Sequence, residues 1–162
     1  VATAGRERPR LRVRLLLAED GRLTVTSAAL PPADAQAAMR FVISPTRLDS
    51  TDAFLFHKTT RRELYDQEWK HYSETMGADE VLYLNEHGEL AEGSRTNIFV
   101  AREGMLVTPP LPSGLLPGVL RAELIATGQA VEGVLVPEDL GTADAVYLGN
   151  SVRGLVPAHP LG

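Results

Sequence analysis

Phe54-Leu-Phe-His-Lys-Thr-Thr-Arg61 is where the chain changes character. Before it the sequence reads as short strands and turns; after it comes a polar, helix-forming run. Three apolar residues lead into His57 and Lys58. A lysine just past an apolar, strand-like run is held where water is scarce. Desolvation disfavours an ammonium and frees the amine to act as a nucleophile or base, which is what a Schiff-base lysine needs. The plainer alternative is a lysine reaching to solvent from a strand end.

Working outward, residues 60–76 read as a helix. Leu64, Tyr65, Trp69, Tyr72 and Met76 form a loose apolar face, and Gly77 is the stop. Strands follow at 80–84 and 96–101, with a tight turn at 85–88 and another short strand at Met105-Leu-Val-Thr108. This alternation of short strands and local turns points to an antiparallel or mixed sheet. A Pro/Gly loop, 109–118, ends directly on a helix from Val119 to about Thr127, closed by Gly128. A strand at 131–136, one helical turn from Pro137 and a strand at 145–148 complete this half. Gly149-Asn-Ser-Val-Arg-Gly154 is a second polar loop. In the other direction, 11–18 and 23–26 read as a hairpin around an Asp-Gly turn, which needs a larger sheet to be stable. Val1 to Pro9 reads as frayed, Pro31 to Asp34 as a break, and 39–43 as another short strand. Pro45 to Asp52 reads as a linker and places the domain boundary near residue 50, dividing the chain into 1–50 and 51–162.

The 162 residues are 44% hydrophobic and 23% charged, with a formal net charge of −5, so they suit one globular unit. An acidic balance argues against a general nucleic-acid or anionic-membrane surface. The absence of cysteine excludes disulfides and thiolate chemistry. His57, His71, His87 and His159 show no metal-ligand spacing. Apolar runs are too short to span a bilayer and no leader is visible, so the default compartment is cytoplasmic.

Three further stretches carry candidate chemistry. Ser113-Gly-Leu-Leu-Pro-Gly118 enters a helix, where free N–H groups and the positive end of the dipole suit a phosphate. It lacks the Gly-Lys-Ser/Thr ending of a Walker loop. Glu92, before a glycine turn, is either a solvated surface group or the partner of a protonated ring nitrogen, with Asn97 able to orient it. In Asn150-Ser-Val-Arg-Gly154, Arg153 can fork onto a carboxylate or phosphate, or simply lie in solvent.

Taken together and in this order, these motifs resemble the fold-type IV pyridoxal-phosphate enzymes. That family holds the branched-chain and D-amino-acid aminotransferases and aminodeoxychorismate lyase. The matching residues are His57-Lys58-Thr59-Thr60, Glu92-Gly-Ser-Arg-Thr-Asn-Ile-Phe-Val100, Thr108-Pro-Pro with Ser113-Gly-Leu-Leu-Pro-Gly-Val-Leu-Arg121, and Asn150-Ser-Val-Arg-Gly154. The details look most like the lyase, in particular the form fused behind the chorismate-aminating component of 4-aminobenzoate synthesis. The resemblance implies an α+β fold, with a mixed-sheet large domain and a remnant of a smaller N-terminal domain in residues 1 to about 44. It also implies a homodimer acting on a small molecule, with pyridoxal 5'-phosphate as cofactor. Lys58 would anchor the cofactor and move protons. Glu92 would pair with the pyridine nitrogen and Asn97 would support it. The backbone of Leu116, Gly118 and Val119 would hold the phosphate. Asn150, Ser151 and Arg153 would line the phosphate or substrate side. For the lyase, the freed lysine takes the ring proton at the amine-bearing carbon and pyruvate leaves as the ring becomes aromatic. Several aminotransferases of the family place a tyrosine five positions after the lysine. Here that position is Glu63, and Tyr65 is given no role. The short N-terminal part leaves a non-catalytic or incomplete fragment as the further alternative.

Overall fold

The computed structural model describes residues 10–30 and 37–162. The stretches read as frayed (1–9) and as a break (31–34) lie outside the described residues. The chain divides into two compact units, Val1–Gln36 and Ala37–Gly162. In the first, β1 (Leu11–Leu17) and β2 (Leu23–Ala29) pair antiparallel around the Asp20-Gly21 turn, with Leu15 opposite Val25 and Leu17 opposite Leu23. Period-2 alternation puts Leu11, Val13, Leu15, Leu17, Leu23 and Val25 on one face, and all are more than half exposed.

The second unit is an eight-stranded mixed sheet flanked by three helices. Its elements are β3 (Met39–Leu48), α1 (Glu63–Met76), β4 (Glu80–Asn85), β5 (Leu90–Gly93), β6 (Asn97–Arg102), β7 (Met105–Thr108), α2 (Val119–Ala126), β8 (Ala130–Glu132), α3 (Pro137–Thr142), β9 (Ala145–Asn150) and β10 (Gly154–Pro160). The strand order is β5-β4-β3-β10-β9-β6-β7-β8. β3 runs parallel to both its neighbours, β4 and β10, and β7 and β8 are also parallel; the remaining pairs are antiparallel. This is the mixed-sheet α+β architecture that the motifs imply.

Alternation along the central strands assigns each face a partner. Leu82, Leu84, Ile98, Val100 and Leu148 point to one side and pack with Phe41, Leu90 and Leu135. Val81 and Tyr83 point to the other, where Tyr65, Trp69 and Tyr72 of α1 cover them. Phe99 faces Leu124 and Leu120 of α2. Burying a side chain of this size contributes about 1.5–3 kcal/mol. These clusters therefore fix where α1 and α2 lie, and with them the groups the helices carry.

Three expectations change. The linker at 45–52 is not one: β3 continues through Pro45 to Leu48, and its pairing with β4 slips between Ile43 and Arg47 to accommodate the break. The units accordingly divide after Gln36, upstream of the boundary placed at 50. The apolar run before Lys58 is a short 3-10 turn, Ala53–Phe56, because the Asp52 carboxylate caps the Phe54 N–H. Of the strand read at 131–136 only Val131 and Glu132 remain, in the three-residue β8, while β10, hidden by Pro157 and Pro160, lies inside the sheet between β3 and β9.

Candidate active site

Glu92 is the centre of the candidate site. It lies on β5 and is only 7% exposed. Tyr65 on α1 donates from its hydroxyl to Glu92 Oε1 at 2.7 Å, and the Leu116 N–H donates to Oε2 at 2.9 Å. Burial pushes the Glu92 carboxyl above its ordinary value; those two hydrogen bonds and the charges of Arg62 and Lys58 pull it back only in part. The Tyr65 phenol is itself pushed far up, by burial and then by the Glu92 charge. It therefore stays protonated and can only donate to a charged carboxylate.

The loop after Glu92 is held by a residue that the motifs do not include. Glu80 opens β4 and is fully buried. Its carboxylate accepts from Ser94 Oγ, from Thr96 Oγ1 at 3.0 Å, and from the N–H groups of Val81 at 3.0 Å and Arg95 at 3.3 Å. Arg62 Nη2 donates to the Ser94 carbonyl at 2.6 Å from the other side. A buried acid that satisfies three donors of one turn, besides the N–H of its own neighbour Val81, is a structural anchor. Its only trace in the sequence is an acid at the head of an apolar strand.

The loop into α2 is fixed as tightly. Gly114 has φ +84°, and a Cβ there would lie 2.7 Å from the Ser50 Cα. The buried Ser113 donates to Glu89 Oε2 at 2.9 Å. Asn97 makes no side-chain hydrogen bond to Glu92. It donates from Nδ2 to the Leu116 carbonyl at 2.9 Å, and a Cβ on Gly118 would strike its Oδ1. Gly118 caps α2 with no side-chain hydrogen bond at the helix start. The first N–H groups of an α-helix have no partner within the helix, and no side chain caps them here.

Asn150 ends β9. Its Nδ2 donates to the Arg95 carbonyl at 3.0 Å, and its Oδ1 accepts from the N–H groups of Val152 and Arg153 at 3.0 Å each. The side chain thus ties the 150–153 turn to the Glu92 loop. Ser151 and Arg153 are exposed, as is Val119, while Leu116 and Gly118 are half-buried. Lys58 is exposed too: it follows the 3-10 turn Ala53–Phe56 and its cap His57, and no strand immediately precedes it. The structure therefore links Glu92, Leu116, Asn97 and Gly118 through hydrogen bonds, with Val119 next along the chain at the start of α2 and Lys58 in electrostatic reach of the carboxylate. Among the described residues no group of three His, Asp or Glu could hold a metal ion.

The model of the class IV aminotransferases matches residues 2–161, so the chain belongs to that family. The family is pyridoxal-phosphate dependent. The "Probable branched-chain-amino-acid aminotransferase" of Thermotoga maritima is 34% identical over 94 residues, covering 54% of this chain and 34% of that protein. The "Putative aminodeoxychorismate lyase" of Schizosaccharomyces pombe is 32% identical over 101 residues, covering 60% of this chain and 44% of that protein. The crystal structure of a "Putative amino-acid aminotransferase" from Mesorhizobium loti superposes with a TM-score of 0.88 at 46% identity. It covers 93% of this chain and 72% of that one. The chain thus spans less than half the length of these two curated relatives.

Proposed function

We propose that this chain carries the cofactor-binding part of a pyridoxal-phosphate-dependent 4-amino-4-deoxychorismate lyase, yielding 4-aminobenzoate and pyruvate. The observation that carries the cofactor reading is the desolvated Glu92 carboxylate, clamped by two donors and placed beside an uncapped helix start. When bound, the cofactor supplies an electron sink. Glu92 would pair with its ring nitrogen, and the N–H groups at the start of α2, from Val119 on, would bind its phosphate; Leu116 and Gly118 shape the loop that leads there, their own N–H groups being engaged by Glu92 and by the Leu116 carbonyl. Lys58 anchors it and then moves the proton between the amine-bearing carbon and solvent, a general acid–base role. Asn150 holds the 150–153 turn in place, so that Ser151 and Arg153 reach phosphate or substrate. Exposed Lys58 fits a site completed by further protein, as in a homodimer. A cytoplasmic location goes with this reading.

The choice of lyase rests on the pattern Lys58-Thr-Thr-x-Arg62-x-x-Tyr65 and on Asn150-Ser-Val-Arg-Gly154. The second reading, an aminotransferase for branched-chain or D-amino acids, draws support from the Thermotoga maritima relative. The test is to mix the full-length protein with pyridoxal phosphate, reduce with borohydride, map the label and assay products. Label on Lys58 with pyruvate and 4-aminobenzoate released from aminodeoxychorismate is the expected result. Label on Lys58 with keto-acid-dependent amino transfer and no lyase turnover would move the assignment to the second reading. Label scattered over surface lysines would reject both.

A further inference from the structure

We propose that Tyr65 is the positioning residue of Glu92, holding its carboxylate ionised and fixed for the ring nitrogen of the cofactor; this rests on the cofactor reading above. Three observations carry it. The hydroxyl lies 2.7 Å from Glu92 Oε1 while the Leu116 amide takes Oε2, so each oxygen has one donor and one lone pair left for a third. Tyr65 cannot swing away, because its ring meets Tyr83 edge-on at 5.0 Å and Arg62 stands over its other side at 5.2 Å. Tyr65 and Trp69 on α1, with Arg62 at its N-cap, all send polar tips to one strand-loop region. Arg62 bonds Ser94, Tyr65 bonds Glu92 and the Trp69 indole bonds the Asp79 carbonyl. Positions 62, 65 and 69 share a helix face by the 3.6-residue repeat.

The alternative is that Tyr65 fills space against Tyr83 and its hydroxyl merely finds an acceptor. The two differ in what Glu92 does when the hydroxyl is gone. A hydrogen bond to a charged group holds that charge, so its loss makes the carboxyl harder to ionise. Tyr65→Phe keeps the ring and removes only the donor.

The experiment reads the Glu92 carboxyl by carbon-13 NMR in cofactor-free full-length protein. Tyr65→Phe is expected to raise the Glu92 midpoint by about one pH unit. Pyridoxal phosphate affinity is then measured in a double-mutant cycle. Tyr65→Phe is expected to weaken binding about tenfold in the parent protein and not at all on a Glu92→Gln background. Equal losses on both backgrounds, or an unmoved midpoint, overturn the proposal. Uniform incorporation of a fluorotyrosine keeps the shape and strengthens the donor, so it should move the midpoint down and provides the reading if the phenylalanine variant does not fold. A moved midpoint with no borohydride label on Lys58 overturns the cofactor reading and leaves the Tyr65–Glu92 clamp standing.

Discussion

A carboxylate buried without a full counter-charge binds its proton too tightly, and Glu92 is such a group. Its folded value lies above 4.5, raised by burial against the pull of Leu116, Tyr65, Arg62 and Lys58. Between 4.5 and that raised value the folded state holds more protons than the unfolded one. Stability therefore falls as pH rises through this window, and what is lost is the cost of burying the charge. Glu92→Gln removes the titration and keeps the shape, because the Tyr65 hydroxyl can turn to accept from the amide. In cofactor-free protein the variant should match the parent near pH 4 and melt higher by pH 8. Thermal melts across that range check it; parallel curves would show that Glu92 is not desolvated. The residue type and the glycine after it made Glu92 legible as a candidate. Tyr65 was not legible as its partner, because Tyr65 and Glu92 are joined through α1 and β5 packing and not by any spacing along the chain. Glu80 was hidden for the same reason: three of its four donors come from a turn more than a dozen residues away.

At the scale of elements, the loop into α2 carries the sharpest consequence. Gly118 is needed because Asn97 stands where a Cβ would be, and Asn97 in turn holds the Leu116 carbonyl. Gly118→Ala must push Asn97 aside, which also disturbs the Leu116 amide that bonds Glu92. A forced shift of this kind costs about 1–3 kcal/mol. Gly141 in α3 is the control: a Cβ there meets nothing within 4 Å, and its φ is not positive. Gly118→Ala should lower both the melting temperature and pyridoxal phosphate affinity, whereas Gly141→Ala leaves affinity unchanged. Calorimetry and spectral titration on the two variants decide it, and equal behaviour would remove the close approach from the account. The elements themselves were mostly readable. α1 ends at Gly77 with φ +71°, as its glycine suggested, and the Asp-Gly and Asn-Glu-His-Gly turns are where they were expected. β10 was not readable, because Pro157 and Pro160 argue against an interior strand by removing two donors. Register explains how it is tolerated: β10 still pairs from Gly154 to Ala158 with β9, and from Ala158 to Pro160 with β3.

For the whole molecule, the place where the domain begins depends on which strands β3 serves. Local punctuation at Pro45 and Asp52 suggested a boundary at 50, since proline ends most patterns that cross it. Pairing overrules it. β3 is the parallel partner of β4 on one side and of β10 on the other, so it joins the β5-β4 pair to the remaining five strands. Phe41 and Met39 from the same strand enter the main core. A fragment starting at residue 51 would leave the inner edges of β4 and β10 unpaired and open a cavity where Phe41 sat; a single Phe deletion from a core costs about 3–5 kcal/mol on its own. The unit Ala37–Gly162 keeps β3, both of its ladders and all three apolar clusters. Expressed separately, residues 37–162 should unfold in one cooperative transition, while residues 51–162 should be insoluble or lack one. Circular dichroism melts of the two fragments make the comparison. A cooperative 51–162 fragment would return the boundary to the proline-rich stretch and make β3 an accessory strand rather than the hinge of the sheet.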